Sequence, residues 1–234
     1  LITVRSLYND KSVGFLLEWN DRFKDAVHKP EPQSQKEAYV KLDYAKRATL
    51  RDAVEIQFPV KIPEGADRPY FFLGQPGKSV NLWRWNADWN EDPSRKTVAE
   101  ELNATGARNP IVPQPAESQE VTSKGVWNNG RWKVVMVRPL KTKDQKSDIQ
   151  FEAGKMIPLA LHAWDGWKGE DGLQTAISSW QFLVLEVPTP PLVYLYTVLS
   201  ILFGVAAEIL LIRWGSSRPA FGQRPLGEPA GTLE

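Results

Sequence analysis

Residues 121–140 read VTSKGVWNNGRWKVVMVRPL, and the Asn-Gly pair at their centre is a strong signal for a tight β-hairpin. Val121–Trp127 and Trp132–Arg138, on either side of that pair, are rich in the β-branched and aromatic residues that strands favour. This segment therefore predicts two antiparallel strands joined by a short turn.

Similar short runs recur along most of the chain and are separated by turns rich in Gly, Asn and Asp. The other candidate strands are Ile2–Leu7, Ser12–Trp19, Ala53–Val60, Pro69–Leu73, Val80–Trp85, Met156–Trp164 and Ala176–Val187. Together these runs predict an all-β domain over residues 1–187, a β-sandwich with long loops. Residues 35–50 are compatible with helix or strand, and residues 90–120 are interpreted as a long loop.

The composition excludes several kinds of site. The 234 residues include no Cys, two His and two Met, and the formal net charge is +1. Without thiols, this chain cannot hold disulfides, iron–sulfur clusters or thioether-linked haem. The small net charge gives no basic field for nucleic acid. No Ser-hydrolase, P-loop, zincin or Rossmann motif is present, so we predict no catalytic residues and no metal ligands, and the acids at 165–172 are interpreted as turn caps.

Residues 192–214, LVYLYTVLSILFGVAAEILLIRW, are almost free of charge and predict a transmembrane helix. Prolines in the linker 188–191 end any structure that precedes it, and aromatic residues lie near both ends, as at membrane interfaces. Arg213, Arg218 and Arg224 follow the segment. The positive-inside rule then places the flexible tail 215–234 in the cytoplasm and residues 1–187 outside, in the periplasm of a bacterium. Because an exported domain needs a signal, we expect one to precede Leu1.

Within this segment, Ser200 and Gly204 form a pair of small residues that allows another helix to approach closely. Glu208 is its one acidic residue, and it is interpreted either as a helix–helix contact or as a side chain that reaches the interface. The helix is therefore predicted to anchor the chain in the bilayer and to pack against partner helices.

An ordered set of segments resembles the haem-b-binding gamma subunits of the ethylbenzene dehydrogenase group of periplasmic molybdenum oxidoreductases. The segments are VRSLYNDKSVGFLLEWND (4–21), DAVEIQFPV (52–60), FFLGQPGKSVNLWRWNAD (71–88), GRWKVVMVRPL (130–140), FEAGKMIPLALHAWDG (151–166) and ISSWQFLVLE (177–186). The resemblance implies a cytochrome-type β-sandwich, which agrees with the strand pattern. It also implies a haem b that passes electrons and is held between a Met and a Lys.

At the two family ligand positions this chain departs from the pattern. The Met position corresponds to Leu73, and the Lys position corresponds to Thr175 or its neighbour. Neither side chain is a strong haem ligand. The remaining candidate axial ligands are His162, Met136, Met156 or a lysine outside the family position, and the three named residues each have an ordinary structural interpretation as well.

Three functions stay open at this point. The chain is either a membrane-anchored electron-transfer subunit with haem b, or a haem-free docking subunit of a respiratory complex. The complex would be of the molybdenum oxidoreductase or the quinol–cytochrome type. In the first case Trp83 and Trp85 line the haem pocket, whereas in the second they only fill the sandwich. The third function is ligand binding in a groove formed by Trp83, Trp85, Trp164 and Trp167.

Overall fold

The computed structural model describes residues 1–26, 50–65, 67–187 and 189–216, so His28, most of segment 35–50 and the tail from 217 onward lie outside the described residues. The chain divides into two compact units, Leu1–Glu186 and Val187–Glu234. In the described residues the first unit contains eleven strands and the second contains one long helix. The predicted class, a β-sandwich followed by one apolar helix, is confirmed.

Four antiparallel strands form the first sheet, in the order β1-β2-β8-β7. They are β1 (Ile2–Tyr8), β2 (Ser12–Asn20), β7 (Thr122–Trp127) and β8 (Arg131–Pro139). The predicted hairpin lies between β7 and β8, where Trp127 pairs with Trp132. Asn129 and Gly130 both have positive φ, 49° and 73°, as a two-residue hairpin turn requires.

Seven strands form the second sheet, in the order β10-β9-β3-β4-β5-β6, with β11 also paired to β9. They are β3 (Ala53–Pro59), β4 (Val80–Asn86), β5 (Ala99–Ala104), β6 (Val112–Pro113), β9 (Met156–Trp164), β10 (Ala176–Ile177) and β11 (Gln181–Val184). A short helix, α1 (Ala87–Glu91), follows β4 directly.

Three strand predictions need correction. Pro69–Leu73 is a turn and not a strand, because the Gln57 side chain bonds the backbone of this segment at Phe71 O and Leu73 N. Residues 90–120 contain the end of α1, the strands β5 and β6, and loops. The strand β5 was missed because its inward-facing Glu101 is charged. Ala176–Val187 forms two short strands, since Leu161 N–H donates to Ser178 Oγ and interrupts the ladder.

The core lies between the two sheets. Its largest fully buried side chains include Trp83, Trp85, Trp132, Phe15 and Phe58, whose rings contact one another edge-on or tilted.

A buried ionic group lies at one side of this core. Arg138 donates to Glu101 Oε2 at 2.9 Å and to Asn81 Oδ1 at 3.1 Å, and its guanidinium lies 4.7 Å from the Trp83 ring. Asp148 Oδ1 lies 3.6 Å from Arg138 Nη1. The pKa of Glu101 is raised, because burial and the nearby Asp148 charge outweigh the attraction of Arg138.

Helix α2 (Pro191–Ser216) makes up the described part of the second unit. It begins on a proline, which is well suited to a first helical position because its missing N–H needs no partner there. None of its residues is buried in the chain, and it is the one helix in the described residues that is long and apolar enough to cross a membrane.

Candidate functional site on the outer face of the second sheet

A charged row crosses the second sheet on the face turned away from the core. Its members are His162 (β9), Glu55 (β3), Arg84 (β4) and Glu100 (β5), which are direct cross-strand neighbours. His162 Nδ1 lies 3.0 Å from Glu55 Oε1, and Arg84 Nε donates to Glu55 Oε2 at 2.8 Å. Arg84 Nη1 lies 3.9 Å from Glu100 Oε1. The register of the ladder therefore assembles this row from four separate segments.

The charged row is largely shielded from water. His162 is 1% exposed and Glu55 is fully buried. Burial by itself would raise the pKa of Glu55, but the Arg84 guanidinium and His162 outweigh it and hold this pKa below its usual value. His162 Nε2 is buried without a hydrogen-bond partner in the described residues, and the ring lies 5.7 Å from the Phe72 ring.

Next to the charged row lies an apolar group that we call the outer cluster: Leu73, Val80, Leu82, Leu102 and Ala104. Each member is 3% exposed or less. Leu73 has a φ of 61°, which is unusual for a residue other than glycine. Gln57 accepts from Leu73 N, and Gly106 N donates to Leu73 O, so the backbone is held on both sides.

A second segment, residues 172–180, covers the same cluster. Leu173 and Trp180 pack against it, and Trp180 Nε1 donates to Pro69 O at 2.9 Å, which ties this segment to the loop that carries Leu73. Thr175 Oγ1 donates to Ala163 O at 2.7 Å. The segments that contain residues 73 and 175 therefore meet over one face of the sheet.

Comparison with known proteins identifies this arrangement. The sequence model of the ethylbenzene dehydrogenase family matches residues 1–109 and 93–176, which together include β1 to β9 and the first residue of β10. The chain belongs to the ethylbenzene dehydrogenase family. The resemblance predicted from the sequence segments is thereby confirmed.

Two curated relatives are similar to this chain over more than half of its length. The gamma subunit of chlorate reductase from Ideonella dechloratans is 26% identical over 165 residues, 70% of this chain and 56% of the relative. A putative respiratory nitrate reductase heme subunit from Haloferax mediterranei is 28% identical over 157 residues, 63% of this chain and 51% of the relative. The chain thus spans about half the length of the curated relatives it matches.

The two positions that the family resemblance assigns to haem ligands do not fit a haem in this chain. Leu73 has no donor atom. The hydroxyl of Thr175 already donates to Ala163 O, and a neutral hydroxyl is not among the usual axial ligands of haem iron.

The other predicted site residues are distributed over three environments. Met136 lies in the core between the sheets, fully buried, while Met156 begins β9 and is 59% exposed. Trp83 and Trp85 point into the same core as Met136, away from His162. The predicted four-tryptophan groove is wrong: Trp164 lies on the outer face with His162, and Trp167 stacks on Phe23.

A carboxylate cluster joins three segments at one end of the sandwich. Asp25, Asp52 and Asp165 have one oxygen each within 4.8 Å of the others. Asp52 accepts three N–H groups, from Asp25, Trp132 Nε1 and Gly166, at 2.9–3.0 Å. Burial nevertheless raises the pKa of Asp52 to about 7. Asp165 accepts from Lys168 N and caps the short 3₁₀ helix that follows it.

Sequence reasoning found His162 but missed Glu55, Arg84 and Gln57. These side chains occupy alternate positions of β3 and β4, where a charged or amide residue normally indicates a solvated face. A signal was nevertheless present, since AVEIQFP (53–59) contains two polar residues within an otherwise apolar run.

On α2, the predicted packing residues Ser200, Gly204 and Glu208 are spaced by four and therefore share one side of the helix. Ser200 Oγ donates to Tyr196 O, so its hydroxyl is satisfied within the helix. Gly204 has open space around the position that a Cβ would take.

Proposed function

We propose that this chain is a membrane-anchored, outward-facing and non-catalytic subunit of a respiratory electron-transfer complex. One observation carries the proposal. The same chain contains a β-sandwich of this family and a long helix with no buried residue. In the described residues the core clusters of the sandwich include no residue of this helix, so its apolar surface is free to meet a lipid or protein environment elsewhere.

The dimensions of α2 support the anchor. Its 26 residues span about 39 Å, against about 30 Å for the hydrocarbon core of a bilayer. Tyr194 and Tyr196 lie near its start and Trp214 near its end, the positions favoured by interfacial aromatics. The arginines at 213, 218 and 224 favour a cytoplasmic C-terminus, and hence a sandwich on the outer side.

The proposed partners are the other subunits of an oxidoreductase complex. Both relatives are named as subunits of reductases, one for chlorate and one for nitrate. By this analogy the sandwich docks on a molybdenum oxidoreductase, with a quinol–cytochrome complex as the other partner that fits a membrane subunit. The side of α2 that carries Ser200, Gly204 and Glu208 packs against a helix of that complex.

A second version of this function gives the sandwich a haem b that relays electrons. One relative is named a heme subunit. The specific observation in its favour is His162, whose Nε2 has no partner in the described residues while Nδ1 lies 3.0 Å from the Glu55 carboxylate. Metal-ligating histidines are commonly oriented by a carboxylate in this way.

Membrane fractionation tests the anchor. The full-length chain is expected in the membrane fraction after a carbonate wash, and a variant that lacks 191–216 is expected in the soluble fraction. A variant that lacks only 217–234 is the matched control and stays with the membrane. If the chain without the helix remains bound after the wash, protein contacts rather than the helix hold it.

Orientation is testable without background, because the chain contains no cysteine. Lys146→Cys lies on an exposed loop of the sandwich, and Thr232→Cys lies in the tail. A membrane-impermeant maleimide is expected to label the first variant in intact spheroplasts and the second only after permeabilisation. The opposite pattern would overturn the proposed topology.

A further inference from the structure

We infer that the outer face of this sandwich holds no haem, and that the loss of ligands at positions 73 and 175 is the reason. The inference concerns the first unit alone. It goes beyond the proposed anchoring and docking role, which stands whether or not the sandwich binds a cofactor, and it decides against the version with a haem b. Its basis is an account of every histidine and methionine side chain in the described residues that could reach an iron from this face.

At position 73 the two flanking residues offer no replacement ligand, and the nearby Lys78 bonds Asp67 through its ammonium group. The backbone of Leu73 is bound by Gln57 and by Gly106, and the flanking residues Phe72 and Gly74 have no donor side chain. A Cβ at residue 74 would lie 2.7 Å from Lys78 O, so this turn requires glycine there. Leu73 itself is 2% exposed and contributes only aliphatic surface to the outer cluster.

At position 175 the threonine hydroxyl already donates a hydrogen bond, and the adjacent side chains contain no strong haem ligand. Thr175 Oγ1 donates to Ala163 O, and the adjacent side chains are those of Gln174 and Ala176. The nearest lysine earlier in the chain, Lys168, lies 2.8 Å from Asp165 Oδ2. No cationic or sulfur ligand is therefore presented by the part of this segment that the structure describes.

The three remaining candidates cannot combine into an axial pair. Two ligands on opposite sides of one metal ion lie about 4–5 Å apart, given bonds of about 2.0–2.3 Å. His162 and Met156 are six residues apart on β9, about 20 Å along an extended strand. Met136 lies between the sheets, on the opposite face of the second sheet from His162.

His162 already has a structural role. It is a member of the charged row, 3.0 Å from Glu55, and it lies against Phe72 and Trp164. The outer cluster beside it is built from aliphatic side chains that bury one another, so this face is closed by the protein's own residues.

Haem content of the full-length, detergent-solubilised chain tests the inference. A pyridine haemochrome spectrum after expression with ample haem is expected to show no stoichiometric protohaem, and added hemin is expected to produce no saturable Soret shift. One haem per chain in the wild type would overturn the inference. In that case loss of the Soret band in His162→Ala would assign the ligand.

A gain-of-function variant tests the stated reason. Leu73→Met combined with Thr175→Lys restores the family ligand types, and its haem content is expected to exceed that of the wild type by about tenfold or more. The matched control, Leu17→Met with Thr122→Lys, places the same residue types in the core and on an exposed strand and is expected to stay at the wild-type level. If the restored variant is no richer in haem than this control, ligand loss at these positions is not the cause.

Discussion

The two sheets of the sandwich use their outer faces in opposite ways. On β8 of the first sheet, burial alternates residue by residue, and Lys133 and Val135 face solvent. On β3 of the second sheet, every residue is buried, including Glu55 and Gln57. An antiparallel sheet usually keeps one face in water, so the second sheet is the unusual one.

The difference lies in what covers the second sheet of this chain. Phe72, Ala107, Ile111, Leu173 and Trp180, from segments that flank the strands, pack over the outer cluster of the second sheet. Polar side chains beneath them must find partners inside the protein. They do so as the charged row and as the clamp that Gln57 makes on residues 71 and 73. The first sheet, with one wet face, has no comparable cover in the described residues.

The largest expected effect is on the buried charge between the sheets. Arg138→Met removes the one cation that faces Glu101 and Asp148 in the described part of the core, and the free energy of unfolding is expected to fall by about 3–5 kcal/mol. Chemical denaturation measures this. Lys133→Met, on the wet face of the same strand, is the control and should change stability by less than about 1 kcal/mol. Equal effects would mean that the two faces of β8 do not differ as described.

Asp52 is expected to show a distinctive pH dependence. Its folded pKa of about 7 lies above the unfolded value of 3.8, so the folded state binds more protons between these values. The stability that Asp52 contributes is therefore fully present below about pH 4 and is lost as pH rises through about 7. Asp52→Asn is expected to be destabilised by about 1–3 kcal/mol at pH 5 and by less at pH 8.

Urea denaturation of both proteins across this pH range measures the difference. Asp10→Asn, a substitution in an exposed turn, is the control for the loss of one carboxyl group away from the core. A wild-type advantage over Asp52→Asn that grows with pH would instead show that the three N–H donors hold the carboxylate charged.

Gly125→Ala tests how tightly the inner face of the second sheet is packed. An added Cβ would lie 2.3 Å from the Trp85 ring, and the expected cost is about 1–3 kcal/mol of overpacking. Gly14→Ala on β2 is the matched control, because its Cβ would lie 3.4 Å from the Val137 side chain, an ordinary van der Waals contact. Thermal unfolding of the two variants compares them directly, and an equal loss would argue against a rigid Trp85.

The smallest effect is expected at the charged row. A double-mutant cycle with Glu55→Gln and Arg84→Met should give a coupling of about 1 kcal/mol at pH 7, since Arg84 is partly exposed while Arg138 is not. Because the folded pKa of Glu55 lies below 4.5, its contribution is present above that pH and is lost as pH falls. A cycle that gives no coupling at pH 7 would show that Glu55 and Arg84 do not interact as the charged row requires.

Local sequence signals predicted most strands, because the turns and the alternation of polar and apolar residues that mark a strand involve only residues close in sequence. The Asn-Gly turn and Met156–Trp164 correspond closely to the observed β7–β8 hairpin and β9. Strand β5, AEELNA, was not predicted. Its inward-facing Glu101 is stabilised by Arg138, which lies 37 residues away in sequence. A pairing of that kind leaves no local pattern.

The sequence by itself determined the sandwich, the apolar helix and the absence of the family ligand types at positions 73 and 175, since composition, periodicity and residue identity are properties of the chain. Only the tertiary structure decided which sheet faces are shielded from solvent. Glu55, Gln57 and His162 occupy alternate strand positions that ordinarily point to water, and the loops that cover them come from distant segments. Burial depends on what packs above a residue, and for this sheet that information is distributed over more than one hundred residues of sequence.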